Sequence, residues 1–234
     1  MQRLDKILSE AGVASRKELR TMIRAGRVRV DGQTVTDEAA KFDETVQITL
    51  DGEPVKKYRR VLLVLHKPAG YITSTDDPRS PTVMELIPEE YRKLGVAPAG
   101  RLDKATEGLL LLTNDGDLAH RIISPKHGVW KTYYAEHEGQ AVQADVDAFA
   151  AGMELGDGTK CLPAVLKPQG AGKSLILVQE GKYHQVRRMM ACRGMQVAYL
   201  KRLAEGALTL DGLEKGQCRE IDIVEAEHLM GQML

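Results

Sequence analysis

Apolar positions along the chain follow two regimes. In the first 60 residues they are sparse and periodic. Leu4, Ile7, Leu8 and Ala11 recur at helical spacing until Gly12 stops the pattern. Ser15 is a good N-cap, Glu18 three residues on completes a capping box, and Leu19, Met22 and Ile23 give a second helix its buried stripe before Gly26 ends it. Val28, Val30 and Val35 then alternate around Asp31-Gly32, a strong hairpin signal.

From residue 61 the apolar positions crowd together. The spans 61–66, 109–113, 131–138, 162–167, 174–180, 196–201 and 219–223 read as strands. The spans 82–87, 117–123, 142–151, 184–193 and 225–230 read as helices, with Gly and Pro in the intervals. These strands are not regularly interleaved with crossover helices. That predicts an α+β chain built on a mixed or antiparallel sheet with flanking helices, rather than a doubly wound fold. Lys56-Lys57-Tyr58-Arg59-Arg60 is dense in charge, lacks periodicity and suits an exposed tether. The expected organisation is a small α/β unit over 1–56, a basic linker at 57–60 and a larger domain over 61–234.

Composition narrows the function classes. The longest apolar runs, Val61–Leu65 and Leu109–Leu112, fall far short of the ~20 residues a membrane span needs. Met1-Gln2-Arg3-Leu4-Asp5-Lys6 has no apolar signal core. Cys161, Cys192 and Cys218 are scattered and odd in number, which fits a reducing cytoplasm and predicts neither a disulfide framework nor a zinc site. Thirty-three Lys+Arg balance 33 Asp+Glu, so no uniformly basic coat exists and any polyanion must meet a local patch. Such a patch is present: Arg16, Lys17, Arg20, Arg24, Arg27 and Arg29 lie in a stretch holding one acid, Glu18. Arg16, Arg20, Arg24 and Arg27 step by four, four and three onto one helical face. Four like charges without interleaved acids repel unless an anion compensates them, which points to RNA.

Three segments carry candidate chemistry. Gly100-Arg101-Leu102-Asp103 puts a carboxylate at the end of a glycine-bounded loop, just before an apolar strand that can hold it rigid. Lys131-Thr132-Tyr133-Tyr134 alternates on a strand, so Lys131 and Tyr133 share a face. Gly181-Lys182-Tyr183-His184-Gln185-Val186-Arg187-Arg188 opens a helix on which His184, Arg187 and Arg188 fall together, with Met189 and Met190 as core filler. A single histidine on a helix is more often structural than catalytic, and His184 is read so. Gly170-Ala171-Gly172-Lys173-Ser174 lacks the spacing of a phosphate loop and reads as a hairpin turn. No nucleotide, metal or nicotinamide motif is visible.

Residues 1 to about 50 resemble the S4 RNA-binding domain through Arg3-Leu4-Asp5-Lys6, Gly12, Ser15-Arg16, Gly26, Arg27-Val28, Val30 and Gly32. The whole chain resembles the RsuA-type pseudouridine synthases, which modify ribosomal RNA. The pieces that match are Gly100–Asp103, Lys131-Thr132-Tyr133 and Gly181–Met189, together with Lys67-Pro68-Ala69-Gly70, Ser74–Arg79, Thr113–Gly116, His120–Pro125 and Leu200-Lys201-Arg202. His66 departs from the family, which usually has Asn there, and is expected to touch a loop.

The resemblance implies a cofactor-free isomerisation of uridine, with Asp103 as the carboxylate, Tyr133 stacked on the uracil and Arg187 (second choice Arg188) as the partner of Asp103. It also implies Arg101, Lys131, Arg188 and Arg202 as substrate contacts. The 16S rRNA of the small subunit is the expected substrate. The same reaction on 23S rRNA, or a non-catalytic rRNA-binding assembly factor, is the alternative. A monomer is the default.

Overall fold

The computed structural model describes residues 1–43, 45–55 and 59–231. The chain divides into two compact units, Met1–Arg60 and Val61–Leu234. Of the expected linker, Lys57 and Tyr58 lie outside the described residues, as does Lys56 before them; Arg59 and Arg60 are exposed.

In the first unit, helices Leu4–Glu10 and Arg16–Arg24 share a core with a four-stranded antiparallel sheet. The strand order is Gln33–Thr34, Val28–Val30, Ile48–Leu50, Glu53–Pro54. Leu4, Leu8, Leu19 and Ile23 are fully buried against Val28, Val30 and Ile48. The capping box forms: Ser15 Oγ accepts from Glu18 N at 3.4 Å and Glu18 Oε2 accepts from Ser15 N at 3.0 Å. Asp31 and Gly32, at φ 48° and 81°, make the tight turn between Val28–Val30 and Gln33–Thr34.

The basic face differs from expectation. The helix ends at Arg24, so Arg27 lies beyond it. Arg24 grips Glu38 with two hydrogen bonds of 3.2 and 2.5 Å, and Arg27 grips Asp51 at 2.9 and 2.5 Å. Arg20 Nε lies 3.9 Å from Asp5. The compensating acids come from positions 5, 38 and 51, outside the window in which the charges were counted. Arg16, Lys17 and Arg29 stay exposed, with no ion pair among the described residues.

In the second unit one nine-stranded mixed sheet runs Val165–Pro168, Lys173–Val178, Lys131–His137, Val197–Glu205, Glu107–Thr113, Leu62–Lys67, Cys218–Glu220. Leu208–Thr209 and Ala97–Pro98 pair beside this path. Every residue of Leu62–Lys67 and Glu107–Thr113 is buried, as strands covered on both faces require. Strand alternation divides their side chains. Leu63, Leu65, Leu110 and Leu112 join the core holding Tyr133, Phe149, Met189 and Met190. Leu62, Val64, Leu109 and Leu111 pack with Leu118, Ile122 and Ala226 on helices Gly116–Ile123 and Ile223–Met230.

Among the described strands of this sheet one pairing is parallel, Val197–Glu205 to Glu107–Thr113, with Arg202 opposite Gly108. Gly108 has φ +111°, and a Cβ there would sit 2.1 Å from Arg202 O. Only glycine permits this approach. The glycine-rich 170–174 segment is a hairpin turn between Val165–Pro168 and Lys173–Val178. Elsewhere boundaries shift. The expected strand 162–167 begins at Val165, the span 219–223 gives up its end to a helix beginning at Ile223, and 82–87 is a single tight 3-10 turn over Val83–Leu86. No helix among the described residues is long and apolar enough to cross a membrane.

Candidate active site

Asp103 sits on the loop that leads into the central strand Glu107–Thr113. Lys67, at the end of the neighbouring strand Leu62–Lys67, is completely buried beneath that loop. Its ammonium donates to Thr106 O at 2.8 Å, Pro68 O at 3.0 Å, Asp103 O at 3.1 Å and Lys104 O at 3.3 Å. Burial pushes its pKa down to about 8, opposed by the nearby Asp103 and Glu107 carboxylates. From the side, Thr73 Oγ1 donates to Leu102 O at 2.7 Å and accepts from Leu102 N at 3.1 Å. Gly70 N donates to Lys104 O at 2.8 Å. The main chain around Asp103 is thus tied down, while its carboxylate remains about one-third exposed (34%).

The opposite wall is the turn before helix Gln185–Cys192. The Gln185 side chain accepts from Lys182 N at 3.0 Å and donates to Glu180 Oε1 at 2.9 Å. Glu180 is buried, accepts from Leu162 N at 2.9 Å and pairs with Lys182 at 3.0 Å. This network holds His184 in the left-handed region at φ 48°, a conformation that costs a non-glycine residue ~1 kcal/mol or more. His184 Nε2 lies 3.5 Å from Asp103 Oδ1. Between the two walls lies a small cleft of about 60 Å³, open to solvent and lined among others by Asp103, Thr106, Tyr133, His184, Arg187 and Leu200.

Asp103, Tyr133, Arg187 and Arg101 meet at this cleft. Tyr133 is almost fully buried, and burial raises its pKa, so the cleft receives a neutral phenol ring. Three expectations need correcting. Arg187 Nη1 donates to Val197 O at 2.9 Å and Arg188 pairs with Asp157, so the side chain beside the Asp103 carboxylate is the His184 imidazole, not either arginine. His184 is therefore a cleft residue rather than a structural one. Lys131 and Arg202, expected to contact substrate, are buried behind Tyr133, 7% and 2% exposed. Arg202 Nε donates to Leu109 O at 2.7 Å, its Nη2 lies 2.8 Å from the buried Glu205, and Lys131 Nζ donates to Val129 O at 3.3 Å. From there neither side chain reaches a phosphate.

Lys67 and Thr73 were missed as functional groups, although Lys67-Pro68-Ala69-Gly70 was visible as a motif. His66 Nδ1 lies 2.6 Å from Leu213 O, a loop contact as expected. Among the described residues no three His, Cys, Asp or Glu side chains come together as a metal site.

Residues 61–192 match the RNA pseudouridylate synthase family, and residues 2–48 match the S4 domain. The chain belongs to the RNA pseudouridylate synthase family. As a pseudouridine synthase it carries Lys67, Asp103, Tyr133, His184 and Arg187 all within the matched span. It is 39% identical to the ribosomal small subunit pseudouridine synthase A of Escherichia coli strain K12, over 94% of this chain and 96% of that one. It is 35% identical to the ribosomal large subunit pseudouridine synthase B of Bacillus subtilis strain 168, over 98% and 96%. A crystal structure of a pseudouridylate synthase superposes with a TM-score of 0.69 at 33% identity, covering 98% of this chain and 100% of that one.

Proposed function

We propose that this enzyme isomerises one uridine of 16S rRNA, with Asp103 as the reacting carboxylate. The observation that carries the reading is the Asp103 carboxylate, open to the cleft beside His184 while its own main chain is clamped by Lys67. Glu180, the other acid lining the cleft, is buried and consumed by Lys182, Gln185 and Leu162 N.

The isomerisation breaks the bond from ribose C1′ to uracil N1, turns the base and joins C1′ to C5. A proton leaves C5 and one is taken up at N1, so atoms and oxidation state are conserved. Attack on C1′, addition at C6 and removal of the C2′ proton all begin from an ionised carboxylate placed against the nucleoside, which Asp103 provides. Tyr133 contributes its ring as a stacking surface for the uracil. As a buried phenol it is a poor base, which leaves the released Asp103 carboxylate to accept the C5 proton. Arg101, exposed at the rim, is available to a phosphate. Arg187 lines the same cleft from its anchor on Val197 O.

The target uridine must leave its stack, at a cost of a few kcal/mol. Phosphate contacts from Arg16, Lys17 and Arg29 of the S4 unit offset that cost. With rRNA as substrate, the enzyme works in the cytoplasm. The small subunit is favoured by the segments Ser74–Arg79 and His120–Pro125 and by the relative at 39% identity. The large subunit is the second reading, supported by the relative at 35% over nearly the whole chain.

The test is incubation with 16S and 23S transcripts, each with and without ribosomal proteins, followed by carbodiimide-blocked primer extension. One new stop on 16S, made by wild type and absent with Asp103→Asn, is expected. A stop on 23S moves the assignment to the large subunit. No stop on any substrate, despite salt-sensitive RNA binding, refutes the catalytic reading in favour of an assembly factor.

A further inference from the structure

Tyr183 is the one exposed large aromatic side chain among the described residues, 72% accessible. Its ring stacks on His184, with centroids 3.9 Å apart and planes 18° from parallel. One face of Tyr183 is therefore covered, and the exposure belongs to the other face and the edge. The ring does not sit on a loose loop. Arg188 Nη1 donates to Tyr183 O at 3.3 Å, Gln185 holds Lys182 N, and His184 is locked at φ 48°. A left-handed turn at a helix start is ordinarily given to Gly or Asn. Here a histidine occupies it, and that strained conformation is what puts one ring over Asp103 and stacks the next ring upon it. Strain of this kind persists where the surrounding structure enforces it, and it clusters at ligand sites.

We infer that Tyr183 offers its outward face as a stacking platform for the nucleobase next to the target uridine in the RNA strand. The inference rests on the proposed reaction at Asp103, because the platform begins one ring beyond the side chain that touches that carboxylate. A nucleotide bonded directly to the one in the cleft is the nearest base that can reach it. The ring spacing of 3.9 Å is close to the ~3.4 Å step of stacked bases, so a base on Tyr183 extends a stack the protein has already started. Such stacking tolerates any base, since every base has a π-face. The platform thus holds the strand open beside the flipped uridine and leaves sequence choice to other contacts.

Two measurements test this on the full-length enzyme. In the first, pseudouridine formation on the modified rRNA is followed for wild type, Tyr183→Ala and Tyr183→Phe. Tyr183→Ala is expected to raise KM about tenfold to a hundredfold with kcat within a fewfold of wild type, and Tyr183→Phe to restore wild-type KM, since the ring and not the hydroxyl is used. In the second, a uridine nonamer carrying one central 2-aminopurine is titrated with each protein. Wild type and Tyr183→Phe are expected to quench its fluorescence, and Tyr183→Ala to bind with little quenching. Equal KM and equal quenching for wild type and Tyr183→Ala overturn the platform. So does a Tyr183→Phe variant as weak as Tyr183→Ala. If wild type itself forms no pseudouridine, the reading at Asp103 falls, and the quenching titration, which needs no turnover, still decides the platform.

Discussion

Replacing Lys67 with methionine tests how the Asp103 carboxylate is held. The ammonium touches four main-chain carbonyls, but these do not suffer equally when it goes. Asp103 O also accepts from Thr106 N at 3.0 Å, and Lys104 O also accepts from Gly70 N at 2.8 Å, so both keep a partner. Thr106 O and Pro68 O lose the lysine as donor. A buried acceptor left without a donor costs roughly 1–3 kcal/mol. Against this stands the cost of burying the ammonium. Its pKa falls from 10.5 to about 8, and at ~1.4 kcal/mol per unit this burial opposes folding by about 3 kcal/mol at neutral pH. The two terms nearly cancel, so Lys67→Met is expected to unfold in urea within about 2 kcal/mol of wild type at pH 7. Activity follows a different rule. With the 103–106 loop released from below, a displacement near 1 Å at Asp103 lowers single-turnover rates by about 100-fold. The pH dependence supplies the sign. Between pH 8 and 10.5 the unfolded lysine binds the proton more tightly than the folded one. Wild-type stability therefore rises with pH across this window relative to Lys67→Met, by up to about 3 kcal/mol. A variant that keeps near-wild-type turnover, or whose stability runs parallel to wild type from pH 8 to 10.5, refutes the reasoning.

Three further outcomes follow from named contacts. His184→Asn accepts the left-handed backbone with less strain and is expected to melt at or above the wild-type temperature, while turnover falls about tenfold or more through loss of the imidazole beside Asp103; unchanged turnover removes His184 from the site. Gly108→Ala forces a methyl to within 2.1 Å of Arg202 O and should cost more than about 3 kcal/mol in denaturant melts, or yield no folded protein. Removing the charge at Arg16, Lys17 and Arg29 together should weaken RNA binding and flatten its salt dependence, whereas Arg24→Ala and Arg27→Ala, whose cations already hold Glu38 and Asp51, should change that slope less; equal slopes in filter binding refute the distinction.

Much of the fold was legible because its signals are local. Ser15 and Glu18 cap a helix within three residues, Asp31-Gly32 turns a hairpin within two, and Val61–Leu65 and Leu109–Leu112 announce central strands by their lack of any polar face. The arginine face failed for the same reason. Charge was counted along positions 16–29, but Asp5, Glu38 and Asp51 come back to those arginines through tertiary structure. Lys131 and Arg202 failed similarly, since basic residues read as surface until a buried Glu205 between them is seen. Such a buried ionic group gives little stability for its desolvation, and losing one partner strands the other, so its placement is invisible to any composition rule.

The site itself shows how two different devices converge on one side chain. On one wall, a buried cation neutralises carbonyls and fixes the main chain beneath Asp103, which is a matter of satisfied hydrogen bonds. On the other wall, a strained backbone at His184 aims an imidazole at the carboxylate from across the cleft, and Glu180 and Gln185 supply the bonds that maintain the strain. The first wall is stiff because several donors, Lys67 Nζ, Thr106 N and Gly70 N among them, converge on its carbonyls. The second is stiff only while its network holds, so perturbing Glu180 or Gln185 should loosen His184 and Tyr183 before it disturbs Asp103. In the sequence both walls read as short strings of small and basic residues. The sequence cannot show that one is held by burial and the other by strain, because that difference lies in a single φ angle and in which atoms the polar groups meet.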